Sequence, residues 1–297
     1  MGERKGPSKF TLGTVQLGMN YGMANTKGMP SREEAFGVLD EAWNSNVRSL
    51  DTAVAYGESE RVIGEYLQKS GNPFFVASKF SLKGENPKEE LLQQAELTKQ
   101  HLQSVDLYMF HSAEQLERYG RELEKPLRNL QETGLTKQLG ASVYEVADVE
   151  TFLQYDWLSA IQIPMSILDT RVITSGLLAE LKKRNVQVYV RSVFFQGLLC
   201  MDEVPEKYAF LASYLGELRE IAKAENMSLK EMAIAFIRDL PEVDSVVLGC
   251  EKAEQVRENS RIMSCPSISE QGRNQITEIG KNVPIERAMN IILGKKG

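Results

Sequence analysis

Short, nearly continuous apolar runs alternate along this chain with longer stretches in which apolar residues recur at three-to-four spacing. The short runs are FTLGTVQ, VRSLDTA, FFVASKF, VDLYMFHS, TKQLGASV, AIQIPMS, VQVYVRSV and DSVVLGC, and each reads as a buried strand. Between them, SREEAFGVLDEAWNSN opens with Ser31 followed by Glu34, a capping pattern for a helix, and NPKEELLQQAELTKQHLQ carries the helical period. The strand-then-helix unit repeats about eight times, as a barrel of parallel strands ringed by helices requires. The pattern therefore predicts an α/β chain of the (β/α)8 TIM-barrel class.

Two segments break the rhythm. Residues 192–206, SVFFQGLLCMDEVPE, form an apolar loop after the seventh strand that is too long for a simple connection, and such loops are often binding loops. Residues 264–297 follow the eighth unit as a C-terminal extension expected to pack on the barrel or reach over its mouth. With no linker or low-complexity tract in 297 residues, we expect residues 1–297 to form one domain.

Composition narrows the function classes. Hydrophobic residues make up 42% and charged residues 26%, enough for a substantial core. A net charge of -6 opposes nucleic-acid binding, which normally needs a basic stripe. No apolar run is long enough to span a membrane, and MGERKGPSKF lacks the apolar stretch of a signal peptide, so a cytoplasmic protein is expected. Cys200, Cys250 and Cys265 are odd in number and widely spaced, with only His101 and His111 as imidazoles, which supports neither a disulfide framework nor a metal site.

The chemistry lies at the strand ends. Asp51 and Tyr56 follow the second strand, Lys79 ends the third and His111 ends the fourth. Taken singly, each has an ordinary role: Asp51 capping a turn, Lys79 solvated, His111 packed. Together, at the end of a barrel where active sites sit, they suit one proton-transfer site. A phenol is a weak acid, and an ammonium at Lys79 is expected to lower the Tyr56 pKa while Asp51 holds that ammonium charged and oriented. His111 would hydrogen-bond the substrate oxygen.

The segments LGTVQLGMNYG, DTAVAYGESERVIGEYL, ASKF, DLYMFH, LGASVY, IQIPMS, SVFFQGLL and VVLGCEKAEQVREN, in this order across residues 12–259, resemble the aldo-keto reductase superfamily. The resemblance implies an oxidoreductase that interconverts a carbonyl, whether aldehyde, ketone or sugar-derived, and its alcohol. It implies a nicotinamide cofactor, usually NADPH with NADH as the alternative, held at the C-terminal face of the barrel. Tyr56 would be the general acid, Lys79 and Asp51 its tuning pair, and His111 the group that orients substrate. Ser142 and Gln162 match residues that hold the nicotinamide carboxamide. Ser192, Phe194, Gln196, Gly197 and Leu198 match a loop around the pyrophosphate, and Gly249, Lys252, Gln255, Glu258 and Asn259 match the adenosine end. Tyr21 is expected at the substrate.

Two positions depart from the pattern. Arg191 stands where many members carry an aromatic against the nicotinamide; a guanidinium also stacks on planar rings, or it can contact a pyrophosphate or an acidic substrate. Gln255 stands where several NADPH-dependent members carry an arginine, with Lys252 either a substitute or a solvated helix-start lysine. The expected partners are a small-molecule carbonyl substrate and at most a few copies of the chain, as monomer or small homo-oligomer. Competing readings are a non-catalytic, nicotinamide-binding redox-sensing or regulatory module and a barrel isomerase or aldolase with Lys79 as Schiff base.

Overall fold

The computed structural model describes residues 6–21 and 28–292. The GKKG terminus lies outside them. Eight parallel strands form a closed barrel in sequence order: β1 Phe10–Gly13, β2 Ser49–Asp51, β3 Phe75–Phe80, β4 Leu107–Phe110, β5 Gln138–Ser142, β6 Ala160–Pro164, β7 Gln187–Arg191 and β8 Ser245–Gly249. Closure comes from β8 against β1, with Thr11 opposite Val247. Each strand falls inside one of the predicted apolar runs, and helices connect them.

The runs are apolar because both strand faces are buried. Outward residues such as Val76, Phe80 and Tyr108 join the large core between sheet and helices. Inward residues Phe75, Ala77, Leu107, Met109, Ala160, Tyr189 and Val247 make a separate cluster that fills the barrel, with Phe75 stacked on Tyr189 at 6.5 Å. Met109 is thus core filler. Lys79 continues the inward face of β3 two residues beyond Ala77, so the pleat itself aims its long side chain into the barrel at the C-terminal end.

Helix Arg32–Asn44 begins with the predicted box: Ser31 Oγ accepts from Glu34 N–H and Glu34 accepts from Ser31 N–H. Helix Pro87–Leu102 is capped by Asn86. The first predicted strand ends earlier than its apolar run, because Val15–Gly18 turns into a single helical turn over the barrel mouth. That turn lies against the loop after β2: a Cβ on Gly18 would come within 1.9 Å of the Tyr56 carbonyl oxygen. Only glycine permits this approach, and Glu58 N–H donates to Gly18 O across it.

The extension after residue 264 forms helices Glu270–Asn282 and Ile285–Ile292. The first packs on helix Ala212–Ala224, and the second places Met289 and Ile292 beside the barrel mouth. Among the described residues no helix is long and apolar enough to cross a membrane.

Candidate active site

β2, β3 and β4 deliver Asp51, Lys79 and His111 to one cleft, and the loop held down by Gly18 delivers Tyr56. Buried Lys79 donates from Nζ to both carboxylate oxygens of Asp51, at 2.7 and 2.8 Å, and to Thr52 O at 3.0 Å. Nζ lies 5.2 Å from the Tyr56 ring centroid, and Tyr56 meets His111 edge to face at 5.8 Å. The four predicted residues therefore converge.

Their electrostatics differ from the expectation in one respect. Burial pushes the Tyr56 phenol above its ordinary pKa, and the Asp51 carboxylate pushes it further. The cation that opposes them is Arg191. Lys79 is clasped by both Asp51 oxygens. Burial also lowers the Lys79 pKa, with Asp51 opposing. His111 is pushed down to about 3 by burial, then by Lys79 and Arg191. It is a neutral imidazole at physiological pH. Its Nδ1 is buried and without a hydrogen-bond partner among the described residues.

Support for Tyr56 comes from a hydroxyl network that sequence reasoning missed. Thr14 Oγ1 donates to Asp51 O at 2.8 Å and meets Ser59 Oγ at 2.8 Å, while Thr52 Oγ1 donates to Ser59 Oγ at 2.9 Å. These ties bracket residues 52–59 and fix the loop that carries Tyr56. No local motif announced them.

The cleft has a volume of about 640 Å³ and extends from the four residues toward β8 and helix Ala253–Ile262. Ser142, Gln162, Arg191, Ser192, Phe194, Gln196, Gly197, Gly249, Gln255, Glu258 and Asn259 all line it, as does Tyr21, which is 47% exposed at the mouth. Two predicted residues do not. Leu198 is buried in the core outside the sheet, and exposed Lys252 caps helix Ala253–Ile262 with its side chain off the cleft wall. Gln162 has a role beyond the one expected, since its Nε2 donates to Asp51 Oδ1 at 2.7 Å and makes Asp51 the acceptor for two side chains. Arg191 stacks on Tyr144 at 4.2 Å and donates to Val143 O at 2.9 Å and Ser192 Oγ at 3.2 Å.

Lys230 was also missed. It lines the cleft, lies 5.7 Å from the Phe194 ring centroid and pairs with Glu258 at 2.8 Å. A signal was present: a Ser228–Glu231 capping box puts Lys230 in a first helical turn, where the helix dipole disfavours a cation. Residues 192–197 bend through left-handed backbone at Ser192, Phe195, Gln196 and Gly197, which turns the loop along the cleft wall.

The walls suit a long polar ligand. Gln16 Oε1 and Asn259 Oδ1 are buried without a hydrogen-bond partner among the described residues, like His111 Nδ1. At Gly249 a Cβ would approach Gln16 Nε2 to 2.7 Å, so glycine keeps that wall open. No three His, Cys, Asp or Glu side chains among the described residues come together to hold a metal ion.

A barrel of this topology with a charged cleft at the strand C-termini defines a (β/α)8 enzyme scaffold. The chain belongs to the aldo/keto reductase family, whose model matches residues 9–281. It is similar to an uncharacterized oxidoreductase of Bacillus subtilis, 24% identical over 288 residues, covering 89% of this chain and 93% of that protein. It is also similar to an NADH-specific methylglyoxal reductase of Escherichia coli, 26% identical over 294 residues, covering 85% and 88% respectively. Among solved structures, an aldo-keto reductase of Bacillus halodurans in its holo form superposes with a TM-score of 0.78 at 21% identity over 92% of each chain. A glycerol dehydrogenase of Gluconobacter oxydans gives 0.73 at 20% identity, over 95% of this chain and 94% of that one.

Proposed function

We propose that this chain is a nicotinamide-dependent oxidoreductase interconverting a carbonyl compound and its alcohol, with Tyr56 as the proton donor. The observation that carries the reading is the convergence of Tyr56, His111 and the buried Lys79–Asp51 pair at one end of a long cleft. The unpartnered Gln16 and Asn259 oxygens and the open wall at Gly249 fit a dinucleotide along that cleft, with Ser142 near the reacting end and Gln255 and Asn259 at the far end.

When bound, reduced nicotinamide supplies the hydride that forms the new C–H bond, and is itself oxidised. The protein's part is the proton and the field. Tyr56, kept protonated by burial and by Asp51, gives its O–H proton to the carbonyl oxygen as negative charge develops there. Neutral His111 offers an N–H to the same oxygen and fixes its direction. Lys79, Arg191 and Asp51 carry a summed charge of +1, which favours the developing alkoxide and the phenolate left on Tyr56. Water then reprotonates Tyr56.

Cofactor choice follows from the same charges. Lys230 is paired with Glu258, Gln255 accepts from Glu251 N–H at 2.7 Å, and exposed Lys252 at the start of helix Ala253–Ile262 is the remaining lysine near the far end. We therefore keep NADPH as the expected cofactor, with NADH as the alternative. The protein is read as a cytoplasmic, single-domain enzyme. Fluorescence titration with NADH and NADPH, followed by turnover on a panel of aldehydes, tests the reading. Binding with turnover supports it, binding without turnover on a broad panel favours the redox-sensing module, and no binding of either cofactor overturns both.

A further inference from the structure

A second cleft of about 370 Å³ opens beside the first, and the two share Tyr21, Tyr144, Arg191, Ser192 and Gln196. Its far wall is Met165, Phe195 and, from the C-terminal helix, Met289 and Ile292. Arg191 stands at the seam. Of its five N–H donors, the side chain spends one on Val143 O and one on Ser192 Oγ, and no carboxylate lies within ion-pair distance of it among the described residues. The acid on the second cleft's wall, Asp169, has both oxygens taken by Arg171, at 2.8 and 2.9 Å. Arg191 is held in place, partly exposed and charged, yet it is not neutralised. Its field reaches Tyr56, Lys79 and His111, so it stands within electrostatic reach of the reacting groups.

A partly desolvated guanidinium without a counter-ion is a standing electrostatic cost that an anionic ligand removes. We propose that the substrate is a carbonyl compound carrying an anionic group, carboxylate or phosphate, bound by Arg191 where the two clefts meet. The carbonyl is presented to Tyr56 and His111, and the second cleft houses the remainder of the molecule against Met165 and Phe195. The inference rests on the reductase reading for its reaction, and on Arg191 alone for its selectivity.

Matched pairs test it: glyceraldehyde against glyceraldehyde 3-phosphate, and butanal against succinic semialdehyde, each with reduced cofactor. In the wild type the charged member of at least one pair is expected to have a kcat/KM about tenfold or more higher, the value of a charge-assisted hydrogen bond, and the pair affected identifies phosphate or carboxylate. The preference should shrink as ionic strength rises. Arg191→Met should bring the ratio near one whatever it does to the absolute rate, whereas Arg191→Lys should keep part of it. A wild-type ratio near one in both pairs, or a ratio unchanged by Arg191→Met, overturns the proposal. Calorimetry with glycerol 3-phosphate and 4-hydroxybutyrate against glycerol gives the answer without turnover: saturable binding of an anion, lost in Arg191→Met, supports the site, and no anion binding overturns it. Anion binding in a protein that binds neither NADH nor NADPH would overturn the reductase reading and leave the site standing.

Discussion

The two ends of one barrel differ in how completely their buried polar groups are satisfied. At the N-terminal end, Thr11 Oγ1 meets Ser49 Oγ at 2.8 Å and Ser245 Oγ at 2.7 Å, Ser8 Oγ meets Ser49 Oγ at 2.8 Å, and Ser245 Oγ lies 2.6 Å from Ser8 O. These hydroxyls satisfy one another, and the buried Asp106 carboxylate at the same end is satisfied by Lys137 at 2.9 Å and Val76 N–H at 2.9 Å. At the C-terminal end the buried groups are charged: Lys79 and Asp51 pair, Gln162 adds a bond, and His111 and Arg191 keep unused hydrogen-bonding capacity. A network with nothing left over serves stability, and one with spare donors and a net charge is prepared for a ligand.

The contrast is broken or sharpened by four measurements. Replacing Lys79 with Met should have the largest effect, because it strands the buried Asp51 carboxylate: about 3–5 kcal/mol of stability by urea unfolding, with activity lost. Adding Asp51→Asn should recover most of the stability and none of the activity. If Lys79→Met alone were neutral, the charged end would be no more demanding than the hydroxyl end. Tyr56→Phe should lower turnover about 10²–10⁴-fold with an unchanged melting temperature, since the ring contacts to His111 and Lys79 survive.

His111 provides a pH test. Its folded pKa of about 3 lies below the ordinary value of 6.5, so between those values the unfolded chain binds a proton that the folded chain refuses, and stability falls as pH falls. At pH 4.5 this penalty is about 3 kcal/mol, and at pH 7 it is nearly absent. His111→Gln should therefore lose less stability than wild type between pH 7 and pH 4.5; an equal loss would mean that the imidazole titrates freely. The smallest effect is at the other end: Ser49→Ala should cost about 1 kcal/mol and leave kcat/KM unchanged.

Most of the fold was legible in the pattern of residues. Apolar runs marked all eight strands, and Ser31 with Glu34 marked a helix start to the residue. The misreading at the first strand has a local cause. FTLGTVQ is apolar throughout, but Val15 and Leu17 leave the sheet in a helical turn whose partner, the Tyr56 loop, is distant in sequence. Asp51, Tyr56, Lys79 and His111 were legible because each sits at or just beyond the end of a recognisable run. Lys252 and Leu198 do not line the cleft, because motif position does not say which way a side chain points. Lys230 was passed over because it lies in the first turn of a largely apolar helix, far in sequence from the other cleft residues.

By itself, the sequence determined the barrel, its strand order and the chemistry available at its C-terminal end, since period, caps and residue type are local properties of the chain. Tertiary structure alone decided how that chemistry is tuned. Asp51 clasps the Lys79 ammonium with both carboxylate oxygens, and Gln162 reaches the same carboxylate from four strands away. Arg191, without a carboxylate partner among the described residues, stands at the meeting of two clefts, where its charge opposes the rise of the Tyr56 pKa. Charge acts through space and through whatever neutralises it, and the neutralising partners here are residues that sequence distance conceals.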